Sequence, residues 1–173
     1  MEREPLAPPA TSSLTIALVD PASSTGRAVL RRFYTDIVGR YWGRDATDRE
    51  GEQAMLDEPS DDLEGDTGFL VILRDGERVV GCGGARVVEP GVAELTRVFV
   101  DASTRGRGAG KTLVSGIEAL SAERGIHTLR LTVRDDLAEA HGLYRRLGYE
   151  PVSPFSTLPY ADHQLAKALR DVR

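Results

Sequence analysis

The stretch that most constrains this chain is Val98 to Thr112, where a short apolar strand runs into a loop and then into a helix. The loop reads RGRGAG at positions 105–110 and holds three glycines and two arginines. Glycine lets the main chain turn tightly and lets a ligand approach it. A helix N-terminus adds unpaired N–H groups and a partial positive charge. The loop alone is equally consistent with a phosphate site and with a tight strand-to-helix connection carrying solvated arginines.

Two common nucleotide-binding patterns do not fit this loop. Gly110, Lys111 and Thr112 resemble the end of a P-loop, but that motif needs a glycine five residues before Gly110, where Arg105 stands. The dinucleotide fingerprint G-x-G-x-x-G is absent as well. Nucleotide binding is therefore disfavoured.

A third pattern does fit, and a second motif follows it. Arg105, Gly108 and Gly110 match [Arg/Gln]-x-x-Gly-x-[Gly/Ala], and the strand before them reads ELTRVFV at 94–100. Residues 140–149, AHGLYRRLGY, match Ala-x-x-Leu-Tyr-x-x-x-Gly-[Phe/Tyr]. With both motifs in this order, the sequence resembles the GNAT-type N-acetyltransferases over about residues 69–152.

The resemblance implies a mixed α/β (α+β) fold. It has a mainly antiparallel central sheet of about six to seven strands, flanked by about four helices and splayed near the coenzyme. Hydrophobic periodicity agrees with this arrangement and predicts strands near 14–18, 69–73, 78–88, 92–100, 127–133, 149–152 and 164–169. The same periodicity predicts helices near 25–41, 50–56 and 137–147, and one that runs from the glycine-rich loop to about residue 125. The strand at 127–133 should run parallel to the one at 92–100.

Local signals add expectations about helix ends and core residues. Asp20-Pro21 should cap the first helix, and Asp136 to Glu139 should form a capping box for the last one. Tyr41 and Trp42 could contact an acceptor, but packing on the core is the favoured interpretation. Cys82 is interpreted as a small core residue and not as a nucleophile.

Composition limits the class of protein. With 173 residues, a single domain over 13–173 is expected after a disordered, proline-rich tail at 1–12. A net charge of −5 without basic runs argues against nucleic acid binding. The absence of an apolar run near 18 residues and of a signal core predicts a cytoplasmic protein without a membrane span. No metal site is predicted, and a homodimer is compatible with the resemblance.

The resemblance implies acetyl-CoA as cofactor, with CoA as the product. Main-chain N–H groups of the loop would hold the pyrophosphate, assisted by Arg105, Arg107 or Lys111. The main chain at the end of the preceding strand would pair with the pantetheine arm, and one of its N–H groups would polarise the thioester carbonyl. The predicted coenzyme-binding residues are Val98, Phe99, Val100, Arg105, Gly106, Arg107, Gly108, Ala109, Gly110, Lys111 and Thr112.

Glu94 is the predicted catalytic base. An amine has a pKa of about 10 and is mostly ammonium at neutral pH, so a base is needed before it can attack. Strand alternation puts Glu94 on the same face as Thr96, Val98 and Val100, and a carboxylate in an otherwise apolar strand is costly unless it is paired or used. The alternative is an ion pair with Arg97 or Arg130.

Tyr144 is the predicted catalytic acid, because its phenol can give a proton to a thiolate whose parent pKa is near 8.5. The alternative is that its ring only packs on the helix stripe. The second motif departs from the family at Leu137, where an asparagine usually contacts the coenzyme arm. Leucine cannot make that hydrogen bond.

The sequence thus predicts an acyltransferase that moves an acetyl group directly from acetyl-CoA to a primary amine of a small molecule or peptide. A CoA-binding regulatory domain without turnover is the main alternative, although Glu94 and Tyr144 argue against it. The acceptor is not readable. Acidic residues at 57–66 hint at a cationic acceptor, but a solvated acidic loop is the simpler interpretation.

Overall fold

The computed structural model describes residues 13–170, so the predicted tail at 1–12 lies outside the described residues. The elements, in chain order, are β1 (Leu14–Val19), α1 (Ser24–Trp42), α2 (Asp48–Asp57), β2 (Gly68–Asp75), β3 (Arg78–Glu89), β4 (Val92–Val100), a 3-10 turn (Ala102–Thr104), α3 (Ala109–Glu123), β5 (Thr128–Val133), α4 (Ala138–Arg146), β6 (Glu150–Pro151) and β7 (His163–Ala168).

The seven strands form one mixed sheet in the order β1-β2-β3-β4-β5-β7-β6. Strands β4 and β5 run parallel, with α3 as the connection between them, and the other neighbouring pairs are antiparallel. Seven strands and four α-helices in the described residues confirm the predicted fold class, and the parallel pair confirms the crossover prediction.

Side-chain alternation along the central strands supplies a core on both faces of the sheet. Val71 and Leu73 of β2 are buried in the larger cluster, which includes Leu113 and Ile117 of α3. The intervening Ile72 packs on the opposite face, in the cluster that includes residues of α1. Because successive side chains of a strand point to opposite faces, the continuous apolar run of β2 is what a two-sided core requires.

The sheet opens between its two parallel strands. Pairing covers only three positions, Val92–Glu94 with residues 128–130. Beyond Glu94, β4 stays paired to β3 on one side, while β5 continues alongside β7. The expected splay is therefore present, and it leaves one main-chain edge of β4 from residue 95 onward without a strand partner.

A bulge at Arg97 changes which side chains of β4 share a face. Arg97 has a φ of 58°, in the left-handed region that non-glycine residues rarely occupy. Across the bulge, Gly84 faces Thr96 but Cys82 faces Phe99, so Gly83 stands opposite two residues. Val98 therefore packs on the α3 side together with Leu95.

The prediction that Glu94 shares a face with Val98 and Val100 is consequently wrong. Strict alternation holds from Glu94 to Thr96 and is reset at Arg97. Val98 and Val100 pack against the core under α3, whereas Glu94 lies on the face that carries α1 and α2. The extra residue of the bulge is the physical reason.

Two predicted helix caps also differ. Ser23 is the N-cap of α1, with its hydroxyl accepting from the Gly26 amide, while Asp20 accepts from the Ala22 amide in the preceding turn. Leu137 is the N-cap of α4 and has no side-chain hydrogen bond, so the predicted capping box does not form. The carboxylate of Asp136 instead accepts two hydrogen bonds of 2.9 Å from Arg134.

Replacing Gly81 by alanine should lower the free energy of unfolding by about 2 to 3 kcal/mol. A Cβ there would stand 2.4 Å from the main-chain oxygen of Phe99, so β3 and β4 would have to separate. Urea unfolding measures the change.

The matched control is Gly142→Ala in α4, where the nearest atom to a new Cβ is the flexible Arg146 Nη1 at 3.3 Å. Alanine is the better helix former, so this variant should gain up to about 1 kcal/mol. Equal effects of the two variants would contradict the close packing of β3 on β4.

Candidate active site

A cavity of about 1340 Å³ occupies the gap between β4 and β5. Its walls come from α1, the end of α2, the splayed strand ends, the loop at the start of α3, and α4; we call it the central cleft. The cleft exists because β4 and β5 separate after Glu94, leaving space that the flanking helices enclose but do not fill.

The glycine-rich loop delivers helix amides to this cleft. Gly106 and Gly108 have φ values of 81° and 74°, and Gly108 is the N-cap of α3 without a side-chain hydrogen bond. The first hydrogen bond of the helix runs from the Thr112 amide to the Gly108 oxygen, at 3.0 Å. The amides of residues 109–111 therefore have no acceptor inside the helix and can hold an anion.

Gly110 also sets how closely α3 approaches α4. A Cβ at this position would stand 2.8 Å from Cδ2 of Leu143. The glycine thus keeps main-chain N–H groups accessible at the point where the two helices meet. The fit of a pyrophosphate to this loop rests on these unpaired amides and on the absence of side chains at 106, 108 and 110.

The structure brings most of the predicted coenzyme residues into the cleft, but not all of them. Arg107 does not line it; its guanidinium lies 2.7 Å from the Asp75 carboxylate and holds the pKa of that carboxyl below its usual value. Thr112 does not line it either, and its amide is used within α3. The residues that do line it are Val98, Phe99, Val100, Arg105, Gly106, Gly108, Ala109, Gly110 and Lys111.

The free edge of β4 supplies the second main-chain feature. Val98, Phe99 and Val100 lie past the last position paired with β5, and all three line the cleft. Their other edge is held by β3, where Gly81 faces Val100 and Cys82 faces Phe99. An extended ligand arm can therefore add to the open edge of a fixed strand.

Glu94 lies at the point where the sheet splits. Its cross-strand neighbours on the same face are Arg86 of β3 and Arg130 of β5. The carboxylate stands 3.7 Å from Arg130 Nε, while Arg86 is bound to Asp62. The predicted alternative of an ion pair with Arg130 is thus present as a loose contact. The Glu94 side chain keeps 27% of its surface exposed and lines the cleft, so water can reach it.

Tyr144 is held in the opposite wall. Its ring is 7% exposed, packs edge-to-face on Tyr149 with centroids 5.7 Å apart, and lines the cleft. Burial raises the pKa of the Tyr144 phenol above its ordinary value of 10, so the hydroxyl stays protonated at neutral pH. The described part of the chain offers this hydroxyl no hydrogen-bond partner.

Cys82 is buried in the core, as the sequence predicts. Desolvation raises the pKa of its thiol to about 12, and the sulfur donates to the main-chain oxygen of Arg97 at 3.2 Å. A thiol that is enclosed and protonated cannot act as a nucleophile.

The favoured prediction for Tyr41 and Trp42, packing on the core, is wrong. These rings are 49% and 61% exposed and line the mouth of the cleft. Tyr41 packs edge-to-face against Tyr160 at 5.4 Å, and Tyr160 comes from the loop before β7. Neither ring belongs to a hydrophobic core cluster of the described residues, and each packs on a neighbouring ring.

Arg40 and Tyr160 line the cleft and carried no sequence signal, and Arg97 was expected only as a possible ion-pair partner of Glu94. Arg97 reaches the cleft because of the bulge, and Tyr160 because the loop before β7 folds back on α1. Arg40 of α1 forms an ion pair with Glu139 of α4, which ties together two walls of the cleft. Each placement depends on contacts between residues distant in sequence, so no local pattern announces it.

Within residues 13–170, every helix is too short or too polar to cross a membrane. In the same residues, no group of three or more His, Cys, Asp or Glu side chains could hold a metal ion.

Comparison with known proteins identifies the family of the chain. The model of the acetyltransferase (GNAT) family matches residues 30–149, well over half of the chain. An IAA acetyltransferase of Azospirillum brasilense is 35% identical over 102 residues, which are 58% of this chain and 65% of that protein. The chain thus spans just under two thirds of that relative.

Solved structures have the same fold. A candidate acyl-CoA N-acyltransferase from Klebsiella pneumoniae superposes with a TM-score of 0.72 at 26% identity, over 92% of this chain and all of that one. A spermidine N-acetyltransferase from Vibrio cholerae, solved with CoA and spermine, gives 0.64 at 16% identity, over 92% and 97%.

The fold is that of solved acyltransferases, and the family model covers the loop at α3 and both flanking strands. The chain belongs to the acetyltransferase (GNAT) family, whose enzymes use acetyl-CoA.

Proposed function

We propose that this protein is an N-acetyltransferase that moves the acetyl group of acetyl-CoA directly to a primary amine. The observation that carries the proposal is the convergence of four features on one cleft. They are the free amides of α3, the open edge of β4, the carboxylate of Glu94 and the phenol of Tyr144.

Binding of acetyl-CoA would use main chain more than side chains. The amides at 109–111 hold the pyrophosphate, with Arg105 and Lys111 as charged neighbours. Residues 98–100 pair with the pantetheine arm, and an N–H group there polarises the thioester carbonyl. Leu137 lines the cleft without offering a hydrogen bond, so the arm depends more on β4. Acetyl-CoA supplies the activated acetyl group.

Glu94 and Tyr144 carry out the two proton transfers, Glu94 as the general base and Tyr144 as the general acid. Glu94 takes a proton from the acceptor ammonium, through a water where the amine is not in direct contact. The free amine then attacks the thioester carbon, so a C–N bond forms and the C–S bond breaks. Tyr144 donates its proton to the departing sulfur and regains one from the amine nitrogen through solvent. The enclosed thiol of Cys82 supports direct transfer without an acyl-enzyme.

Calorimetric titration with acetyl-CoA, dephospho-CoA and ATP tests the cofactor. Acetyl-CoA should bind at micromolar concentration and ATP should not, because ATP has no arm to pair with β4. Thiol release in the presence of an amine panel then tests turnover. Absence of acetyl-CoA binding would refute the proposal. Binding without acetylation of any amine would identify the alternative, a CoA-binding regulatory domain.

A further inference from the structure

Arg97 differs from the other residues of the central cleft in its backbone conformation. Among the described residues, it is the non-glycine position with a positive φ, at 58°. Such a conformation costs of order 1 kcal/mol or more and persists where the surroundings impose it. The bulge points its side chain toward the loop after α2, into the wall of the cleft.

The guanidinium is held by neutral groups. Nε donates to Ser60 Oγ at 3.1 Å, Nη1 to Thr96 Oγ1 at 3.1 Å, and Nη2 to the main-chain oxygen of Glu58 at 3.4 Å. Its carbon lies 5.3 Å from the centroid of the buried Tyr34 ring. The side chain is therefore fixed in position by neutral groups, and within residues 13–170 no carboxylate pairs with its charge.

Other arginines of the cleft differ in this respect. Within residues 13–170, Arg97 has no carboxylate at ion-pair distance, whereas three other arginines that line the cleft do. The pairs are Arg40 with Glu139, Arg86 with Asp62, and Arg134 with Asp136. The remaining cleft cations without such a partner in this part of the chain, Arg105, Lys111 and Arg146, lie at α3 and α4, where the coenzyme phosphates are expected.

Arg97 also lies on the acceptor side of the reaction. It directly precedes the stretch 98–100 that would hold the coenzyme arm, and it shares a sheet face with Glu94. Arg86, the strand neighbour of Glu94, binds Asp62, which is two residues from the Ser60 that binds Arg97. A ligand group held at Arg97 is therefore on the side from which Glu94 would deprotonate the amine.

Building on the proposed acetyl transfer, we propose that Arg97 binds a carboxylate of the acceptor. The acceptor is accordingly a primary amine with a carboxylate near the reacting nitrogen, such as an amino acid. A guanidinium has five N–H groups, of which three are used here, leaving one on each terminal nitrogen. A carboxylate can accept both, and it would neutralise a charge that has no carboxylate partner among the residues the structure describes.

Matched pairs of ligands test this proposal. Tryptophan, phenylalanine, leucine and histidine are each compared with the amine that results from their decarboxylation and with their amides. Binding is measured by calorimetry on protein saturated with CoA, so the readout does not depend on turnover. At least one amino acid should bind roughly 10- to 100-fold more tightly than its amine and its amide.

Arg97→Gln should abolish that preference while leaving the affinity for the amines unchanged, and Arg97→Lys should restore only part of it. In turnover assays the loss should appear in KM for the amino acid, with kcat little changed. Arg145→Gln, an exposed position of α4 outside the cleft, is the control for removing one positive charge. Unchanged acetyl-CoA affinity shows that each variant is folded.

Equal binding within every pair, no binding of any amino acid, or a preference that survives Arg97→Gln would overturn the proposal. These outcomes are distinguishable from failure of the acetyltransferase function, because that failure appears as a lack of acetyl-CoA binding or of acetylation of any amine.

Discussion

Replacing Glu94 by glutamine should lower kcat about 10³-fold at neutral pH. Glutamine keeps the size and position of the side chain but cannot accept a proton from an ammonium. The rate of the variant should then rise about tenfold per pH unit toward the amine pKa of about 10, because only acceptor that is already deprotonated can react. Steady-state kinetics across pH 6.5 to 9.5 measure both effects.

Arg130→Gln is the control for this prediction, since Arg130 Nε lies 3.7 Å from the Glu94 carboxylate. If Glu94 serves only as an ion-pair partner, removing either member should have a similar, small effect on kcat. If Glu94 is the base, Arg130→Gln keeps the carboxylate and should lose less than about tenfold. Comparable rates for the two variants would contradict the assignment of Glu94 as the base.

Replacing Tyr144 by phenylalanine should lower kcat about 10²-fold while leaving the affinity for acetyl-CoA within twofold. The substitution keeps the ring, which fills the wall and packs on Tyr149 at 5.7 Å, and removes only the proton donor. Because burial raises the pKa of this phenol, the wild-type group stays protonated through the working range and should add no alkaline decline of its own near pH 9. Rapid kinetics at saturating acetyl-CoA measure the loss.

Tyr149→Phe is the matched control. Tyr149 neighbours Tyr144 but lies in the core outside the cleft, and its hydroxyl donates to Glu118 at 3.2 Å. Loss of that hydrogen bond should lower the free energy of unfolding by about 1 kcal/mol, and kcat should stay unchanged. If the Tyr144→Phe variant were as active as the wild type, the hydroxyl would not be the catalytic acid and the ring would have only a packing role.

Much of the scaffold could be predicted, because its signals are local. Three glycines within five residues mark the loop in the sequence, and Gly106 and Gly108 have the positive φ that glycine favours. The continuous apolar run of β2 and the alternation in β5 depend on neighbouring residues alone. The parallel pairing of β4 and β5 followed from the handedness of a strand-helix-strand connection.

The errors share a different origin. Alternation along β4 failed at Arg97, because the bulge depends on Gly83 of β3 standing opposite two residues. A Cβ at Gly83 would lie 2.7 Å from Ile117, so the bulge belongs to the packing of α3 on the sheet. The capping box failed because Arg134, which belongs to neither motif, takes the Asp136 carboxylate.

The sequence by itself determined the family scaffold: the succession of strands and helices, the glycine-rich start of α3, and the presence of a carboxylate and a phenol in the two stretches at 94–100 and 140–149. Only the tertiary structure decided that Arg107 turns to Asp75, that Tyr41 packs on Tyr160 at the cleft, and that Arg97 has no carboxylate at ion-pair distance within residues 13–170. Hydrophobic periodicity and backbone propensities depend on a few neighbouring residues, whereas charge pairing and exposure depend on which distant segments packing brings together.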